Sequence, residues 1–341
     1  MQKIDVAVIG ATGLVGEAIL RGLETSGFPV GELYPLASEQ SVGDHVFFNG
    51  DTCFVEKATT FDYTKVQLVW SAVNDTLARH IIPIAQSAGC IVIDNSSSYR
   101  LDDDVPLVIP EINPEAVFEM SEKKIIANPN CSVIQLLMSI SPLVNLGCVN
   151  RVIVSTYQSV SGVGRTGIND LIDQSHTVLE DSASAGSTYA RKTAFNLLPQ
   201  IGAFESNGYS SEEMKIYTEA CKILNRKDID FVATAVRVPV FFGHAQSVHV
   251  DCSQAVNMDS ITSAYQRSPG LTLMSELDYP TPHEHGMTQD DVFLGRLRHD
   301  HHTMNSINFW SVCDNLRKGA ALNAVQIANL LVERDVLQAA K

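Results

Sequence analysis

The first 130 residues alternate between short apolar runs and amphipathic segments. The apolar runs are 4–9, 33–38, 66–72, 91–97 and 124–128. Apolar positions with helical spacing follow the first run as far as Gly27, and they recur over 76–88. Continuously apolar strands that alternate with helices are typical of a parallel sheet covered on both faces. We therefore predict an α/β domain with a doubly wound parallel sheet of the Rossmann type.

The pattern changes after Cys131, where longer β-rich runs prevail at 149–160, 230–241, 246–253 and 305–314. Helical spacing lies between them over 167–180, 191–203 and 210–224. This mixture predicts a second, mixed α+β domain. The Ala-rich last segment has the spacing of a helix that can pack back on the first domain. We therefore predict domains at 1–129, joined by a C-terminal helix within 315–341, and at 130–314.

Length and charge narrow the class of protein. A chain of 341 residues with 45% hydrophobic composition is long enough for two cores. Its net charge of -15 disfavours binding to nucleic acid or to anionic membrane surfaces. The apolar stretch at the start is interrupted by Asp5, and no apolar run reaches membrane-spanning length. We expect a cytoplasmic protein with small-molecule substrates.

Cysteine and histidine positions argue against a disulfide framework and a metal site. The seven cysteines are scattered, odd in number and never spaced as C-x-x-C, which favours reduced thiols. The histidine clusters at 283–285 and 299–302 lack the i, i+4 spacing of helical zinc ligands. We expect these histidines in solvated loops and no bound metal.

Three glycines mark a candidate nucleotide site. Gly10, Gly13 and Gly16 lie directly between a predicted strand and a predicted helix. In this context glycines let the backbone approach a pyrophosphate, which the helix N-terminus then binds. The alternative is an ordinary tight turn between strand and helix.

The end of the second strand normally distinguishes NAD from NADP. Here Ser38 and Ser41 can hydrogen-bond a 2′-phosphate, whereas Glu39 opposes it unless its side chain turns away. The segment ASEQS contains no arginine, so its chemistry leaves the choice open. A solvated loop is the alternative interpretation.

Cys131 is a candidate nucleophile. It follows the polar turn NPN and begins an apolar run with helical spacing, and a helix start lowers the pKa of a thiol and stabilises a developing oxyanion. His244 follows a strand and a glycine, where it can act as the acid/base partner. The alternatives are a buried structural cysteine and a surface histidine.

Nine sequence blocks resemble the aspartate-semialdehyde dehydrogenase family, in its bacterial branch. They cover nearly the full length in the family's order: GATGLVG, DNSSSYR, VPLVIPEIN, IIANPNCS, STYQSVSGVG, FNLLPQI, GYSSEEMKIYTEACKIL, VRVPVFFGH and DNLRKGAALNAVQIA. The resemblance implies Cys131 as nucleophile, His244 as acid/base and Gln158 as the group that orients the acyl intermediate.

The resemblance also implies two sets of binding residues. The substrate set holds the phosphoryl group with Arg100, Asn130 and Lys215, the carboxylate with Arg237 and the amino group with Glu212. These residue types suit those groups, since a guanidinium binds a carboxylate bidentately and a carboxylate suits an ammonium. The cofactor set comprises Thr12, Gly13, Leu14 and Val15 around the pyrophosphate, and Ser161, Gly162 and Asn315 near the nicotinamide.

The implied activity is NADPH-dependent reductive dephosphorylation of L-aspartyl 4-phosphate to L-aspartate 4-semialdehyde in lysine, threonine and methionine biosynthesis. The family also implies a homodimer that pairs through the second domain. Gln40 departs from the pattern, because related sequences often place an arginine there against the 2′-phosphate; NAD is therefore a weaker alternative to NADP.

Two other functions fit parts of the pattern. An N-acetyl-glutamyl-phosphate reductase shares the architecture, but NPNCS and the ammonium ligand Glu212 favour aspartate. A non-catalytic paralogue acting as a binding protein also shares the fold. Such a paralogue is expected to lose catalytic residues, whereas Cys131, Gln158, Arg237 and His244 are all present.

Overall fold

The computed structural model describes residues 3–180 and 187–337. The chain divides into two compact units, Met1–Asn130 with Ala320–Lys341, and Cys131–Gly319. The return to the first unit thus falls at Ala320, later than the predicted 315. The end of the predicted C-terminal segment, 338–341, lies outside the described residues.

The first unit is built on a six-stranded parallel sheet, in the order β5-β2-β1-β6-β7-β8. The strands of this unit are β1 Ile4–Ile9, β2 Val30–Ala37, β3 His45–Phe48, β4 Asp51–Phe54, β5 Glu56–Lys57, β6 Leu68–Ser71, β7 Ile91–Asp94 and β8 Ile125–Ala127. Of these, β3 and β4 form a separate hairpin outside the six-stranded sheet. Its first helices are α1 Leu14–Ser26 and α2 Asp75–Ser87. The predicted Rossmann-type parallel sheet is confirmed.

The second unit is a mixed sheet with helices, as predicted. Its strand order is β10-β9-β11-β14-β13-β12, parallel in the two outermost pairs and antiparallel between them. In chain order its elements are α3 Cys131–Asn145, β9 Val149–Gln158, α4 Arg165–Leu179, α5 Ser211–Leu224, β10 Asp230–Arg237, β11 His244–Cys252, α6 Met258–Arg267, β12 Leu271–Leu273, α7 Pro282–His285, β13 Val292–His299 and β14 Ser306–Cys313.

The helix predicted over 191–203 is wrong. This segment is irregular, with one short turn at 194–195, and Leu198 forms an antiparallel bridge with Arg237, with N–O distances of 2.8 and 3.0 Å. The buried Gln174 side chain accepts hydrogen bonds from two backbone amides of the segment, Thr193 and Ala194. Tertiary hydrogen bonds have therefore replaced the helical ones, and Pro199 could not have continued the helical ladder.

The chain returns to the first unit through a π-helical turn, Arg317–Ala321, and α8, Leu322–Glu333. Trp70 on β6 is fully buried, and its indole Nε1 donates to the Ala324 carbonyl at 3.1 Å. Gly22 on α1 leaves room for Val325, because a Cβ there would lie 3.3 Å from Val325 Cγ2. The last helix therefore completes the apolar core of the first unit. Across the residues described, no helix combines the length and apolarity needed to span a bilayer.

Candidate active site

The glycine turn after β1 forms a tight backbone cradle. Gly10 has a φ of +82°, and a Cβ on it would lie 2.4 Å from the Ala72 carbonyl oxygen. A Cβ on Gly16 would lie 2.1 Å from the Gly10 oxygen, so neither position accepts a larger residue. Gly13 precedes α1 without a side chain to cap it. The cradle, with Thr12, Leu14 and Val15, fits a pyrophosphate that is bound by backbone amides and a helix start.

The segment after β2 lies beside this cradle, because the amides of Gly10 and Ala11 both donate to the Leu36 carbonyl. Its candidate ribose contacts Ser38 and Gln40 are exposed, and Ser41 is half-buried. The Ser38 side chain makes no capping bond to the 3₁₀ turn that follows it, Glu39–Ser41.

Glu39 does turn toward a cation. Its carboxylate lies 2.8 Å from Lys57 Nζ on β5, and Lys57 lowers the pKa of Glu39 by hydrogen bond and charge. The negative charge that would oppose a 2′-phosphate is therefore compensated.

Arg100 and Asn130, the two predicted substrate residues of the first unit, are buried. Arg100 donates from Nη2 to the Asn95 carbonyl at 2.8 Å, just beyond the end of β7. Both side-chain polar atoms of Asn95 are buried without a partner in the described part of the chain. Asn130 directly precedes α3 in sequence. Unpartnered polar groups near the carboxyl ends of parallel strands are typical of a ligand site.

The second unit brings Cys131 and His244 together. Cys131 is the first residue of α3, and its Sγ lies 3.3 Å from Nε2 of His244, the first residue of β11. Gly319 approaches the thiol residue closely, since a Cβ there would lie 3.1 Å from Cys131 Cβ. A thiol at a helix N-terminus within hydrogen-bond distance of an imidazole is the arrangement of a nucleophile with its acid/base partner.

The surroundings of His244 fix its tautomer and keep it neutral. The Ser159 amide donates to Nδ1 at 3.1 Å, so the neutral ring carries its proton on Nε2, facing the sulfur. Burial, followed by the positive charge of Arg237, lowers the pKa of His244 to about 3. The imidazole is therefore uncharged at neutral pH and presents an N–H to Cys131.

Five other thiols are disfavoured as thiolates by their surroundings. Burial raises the pKa of Cys90 to about 11 and that of Cys252 to about 12, the latter also through Cys148. Burial likewise raises the pKa of Cys53, Cys221 and Cys313. Thiolate chemistry is therefore suppressed at these five sites.

Arg237 ends β10 as a buried cation, with 2% of its surface exposed. Its Nη1 donates to the Ser159 carbonyl at 2.6 Å, and its guanidinium lies 5.7 Å from the Tyr189 ring centre. Its Nε is buried without a partner, and within 3–180 and 187–337 no carboxylate lies at ion-pairing distance. A buried guanidinium with an open donor suits an anionic ligand.

A second buried network lies beside the start of α3. Gln158 donates from Nε2 to Ser132 Oγ at 2.7 Å and to Glu212 Oε1 at 3.3 Å. Glu212 is 6% exposed in the first turn of α5, and its Oε2 lies 3.3 Å from Lys215 Nζ. The amide, carboxylate and ammonium are thus linked in one chain of hydrogen bonds next to the thiol residue.

The predicted nicotinamide contacts surround His244. Ser161 Oγ and Ser159 Oγ both bond the Asn315 amide oxygen, which also accepts from the Gly243 amide. A Cβ on Gly162 would lie 3.1 Å from Arg237 Nη1 and 3.6 Å from His244 Cε1. Asn315 therefore holds the turn that fixes the imidazole, and a side chain at position 162 would press on Arg237.

Sequence reasoning missed Ser159, Ser132 and Lys57. Ser159 bonds His244 through its amide and Arg237 through its carbonyl, and a backbone role leaves no mark in residue type. Ser132 could have been suspected from its place next to Cys131. Lys57 lies on a two-residue strand too short for any periodicity to show.

The histidine clusters are dispersed. His283 and His285 lie in the single-turn α7, His299 ends β13, and His301 and His302 meet edge to face with their ring centres 5.2 Å apart. In the described ranges no group of three metal-ligating side chains is assembled.

Comparisons with known proteins agree with this architecture. Residues 5–120 match the semialdehyde dehydrogenase NAD binding domain, and residues 140–318 match the semialdehyde dehydrogenase dimerisation domain. Aspartate-semialdehyde dehydrogenase 2 of Vibrio cholerae is 44% identical over 97% of this chain and 98% of its own, and the Shewanella violacea aspartate-semialdehyde dehydrogenase is 42% identical over the same shares. The crystal structure of aspartate semialdehyde dehydrogenase II complexed with ASA from Vibrio cholerae superposes with a TM-score of 0.95, at 43% identity, covering 98% of this chain and 99% of that one. The chain belongs to the aspartate-semialdehyde dehydrogenase family.

Proposed function

We propose that the chain reduces L-aspartyl 4-phosphate to L-aspartate 4-semialdehyde and phosphate with NADPH, through a thioester on Cys131. The observation that carries this proposal is the 3.3 Å contact between Cys131 Sγ and His244 Nε2. Beside it lies Arg237, a buried cation whose Nε has no hydrogen-bond partner. The reaction supplies an intermediate for lysine, threonine and methionine biosynthesis.

The thiolate of Cys131 attacks the acyl carbon, the bond from that carbon to the phosphate oxygen breaks, and phosphate departs. NADPH, when bound, supplies the hydride that reduces the thioester. Nε2–H of His244 protonates the oxygen left negative by that reduction. His244 then recovers the proton as the carbon–sulfur bond breaks, which releases the aldehyde and the Cys131 thiolate.

The fixed tautomer of His244 suits this proton transfer. Its neutral ring carries the proton on Nε2, and the Ser159 amide keeps Nδ1 an acceptor, so Nε2 is the atom that donates to the alkoxide and later takes the proton back. His244 and Cys131 therefore return to their starting protonation states after each turnover.

Charge complementarity assigns the substrate groups. Arg237 binds the α-carboxylate, because its buried cation has an unpartnered Nε and no carboxylate partner in the described residues. Glu212 binds the α-ammonium, while Lys215, Arg100 and Asn130 bind the phosphoryl group. Gln158, held between Ser132 and Glu212, orients the acyl group.

The glycine cradle holds the cofactor's pyrophosphate at the start of α1, with Thr12, Leu14 and Val15 along it. Gly10 and Gly16 fit this role because a Cβ at either position would collide with backbone. Ser38, Gln40 and Ser41 contact the ribose, and Ser161, Gly162 and Asn315 approach the nicotinamide. We propose NADP as the preferred cofactor and NAD as a weaker one. The match to a dimerisation domain over 140–318 supports a homodimer.

Intact-mass measurement tests the covalent step. Aspartyl phosphate or an acylating analogue, mixed without NADPH, should add one acyl group to the wild type and to Cys221→Ala, and none to Cys131→Ala. Cys221 is a matched control because it is a half-buried thiol of the same unit. An equal adduct on Cys131→Ala would remove Cys131 as nucleophile.

A turnover assay tests the substrate. Aspartate semialdehyde with phosphate and NADP should produce NADPH absorbance, and turnover should require phosphate. Activity with N-acetyl-glutamate semialdehyde in its place would indicate the related reductase, and no phosphate-dependent turnover with either would indicate a non-catalytic protein.

A further inference from the structure

Lys57 is fixed beside the end of β2 by backbone bonds. Its strand β5 pairs in parallel with β2, with Lys57 opposite Ala37, the last residue of β2, and the Ala58 amide donates to the Ala37 carbonyl at 3.0 Å. Two further bonds tie the following loop to the same segment, Gly43 N to Val55 O and Val55 N to Asp44 O. Lys57 therefore remains next to the ribose-side segment Ser38–Ser41 whether or not Glu39 pairs with it.

The two partners of the ion pair favour opposite cofactors. A carboxylate at the end of the second strand accepts hydrogen bonds from the ribose hydroxyls of NAD, whereas an ammonium attracts the 2′-phosphate of NADP. From Ala37 to Asp44 the loop itself contains no Lys or Arg. Lys57 is thus the cation that β5 brings to this loop, and Glu39 is its counter-ion.

The exposure of the two side chains indicates which of them moves away when a phosphate binds. Glu39 is 80% exposed and Lys57 34%. An exposed ion pair contributes little stability, so Glu39 can swing into solvent at small cost. A phosphate monoester carries more charge than a carboxylate and offers more acceptor oxygens, so it displaces Glu39 from the ammonium.

We propose that Lys57 is the residue that recognises the adenosine 2′-phosphate, and that Glu39 competes with this phosphate for the Lys57 ammonium. The proposal rests on the nucleotide site of the proposed function and adds the residue pair that sets its selectivity. Glu39 acts as an internal substitute for the phosphate and thereby limits the preference for NADP over NAD.

Calorimetric titration with 2′,5′-ADP and with ADP tests the pair without any turnover. The wild type should bind 2′,5′-ADP more tightly than ADP. Lys57→Met should weaken 2′,5′-ADP about tenfold and leave ADP unchanged, whereas Glu39→Gln should tighten 2′,5′-ADP several-fold. Lys57→Arg should retain the preference, since it keeps the charge.

Lys123→Met is the matched control. Lys123 is an exposed lysine of the same unit, paired with Asp102 and Asp104, and it precedes β8 at the opposite edge of the sheet. Its loss should change neither affinity. Equal effects of Lys57→Met and Lys123→Met, or equal weakening of both nucleotides by Lys57→Met, would overturn the proposal. A wild type that binds NADP but shows no preference for 2′,5′-ADP would do the same, whereas no binding of NADP at all would count against the proposed function itself.

Discussion

The candidate sites of the two units are built by different means. The nucleotide cradle of the first unit is made of backbone, with glycines that leave space, and the side chains around it are half-buried or exposed. The functional groups of the cluster around Cys131 in the second unit are side chains, and Gln158, Arg237 and His244 are each at most 2% exposed. A backbone site tolerates changes in the side chains around it, whereas a buried network transmits every change to its neighbours. Substitutions in the second unit should therefore act on turnover or on substrate binding, and those in the ribose-side segment Ser38–Ser41, the ribose loop, on cofactor choice alone.

The largest effect short of removing the nucleophile should come from His244→Asn. Without an acid/base at Nε2, turnover should fall about a hundredfold, equivalent to about 2.7 kcal/mol in transition-state energy. Acylation of Cys131 should persist in the mass assay, and the Kd for NADP should stay at its wild-type value. Loss of the acyl adduct in this variant would mean that His244 acts before the thioester forms.

Arg237→Lys should have the next largest effect. Lysine keeps the charge but lacks the planar fork that binds a carboxylate bidentately. The transition-state stabilisation measured by kcat/KM for aspartate semialdehyde should therefore fall by about 2 kcal/mol, mostly through a higher KM. The Gly162→Ala variant provides a comparison, because its Cβ would press on Arg237 Nη1 without removing the guanidinium. Unchanged kcat/KM in Arg237→Lys would remove Arg237 from the substrate site.

The pH dependence of stability should report the buried imidazole. The folded-state pKa of His244, about 3, lies below the unfolded value of about 6.5, so the unfolded chain binds the proton more tightly. The contribution of His244 to the free energy of unfolding is therefore fully present above about pH 6.5. It is lost as the pH falls toward the folded-state pKa, by about 1.4 kcal/mol per pH unit. Urea unfolding at several pH values should show a shallower decline for His244→Asn than for the wild type. Parallel declines would contradict a neutral, buried His244.

The smallest effect should come from Gln40→Arg in the ribose loop. An added guanidinium that reaches the 2′-phosphate should tighten NADP by about 1 kcal/mol and leave NAD and the semialdehyde KM unchanged. Fluorescence titration with both nucleotides measures this directly. If the affinities for NADP and NAD shift together, residue 40 does not contact the 2′-phosphate.

The sequence predicted well those features that depend on neighbouring residues. The strand, glycine turn and α1 of the first unit follow from a contiguous pattern, and so does the start of α3 at Cys131. The contact between Cys131 and His244 joins residues 113 positions apart, and the pairing was suggested by residue type and family resemblance rather than by periodicity. Local patterns therefore predict helices and strands, whereas the contacts within the site depend on how the whole chain folds.

The failures have the same physical origin. The segment 191–203 has helical spacing, but Gln174 and Arg237 capture its backbone groups, and a tertiary partner cannot be seen from local spacing. The position of Lys57 could not be predicted because β5 has only two residues and is defined by its pairing with β2. Ser159 was missed because its hydrogen bonds to His244 and Arg237 come from its main chain.

The hydrogen bond from Trp70 to Ala324 has a consequence for biosynthesis of the chain. Synthesis proceeds from the N-terminus, so the core around Trp70 lacks α8 until residue 333 has been added, after the whole of 131–319. Domains generally fold as units, so the first unit cannot complete its core until the whole of the second unit has been synthesised. Each unit thus depends on synthesis differently: the second is continuous in sequence, whereas the first is assembled from two distant segments.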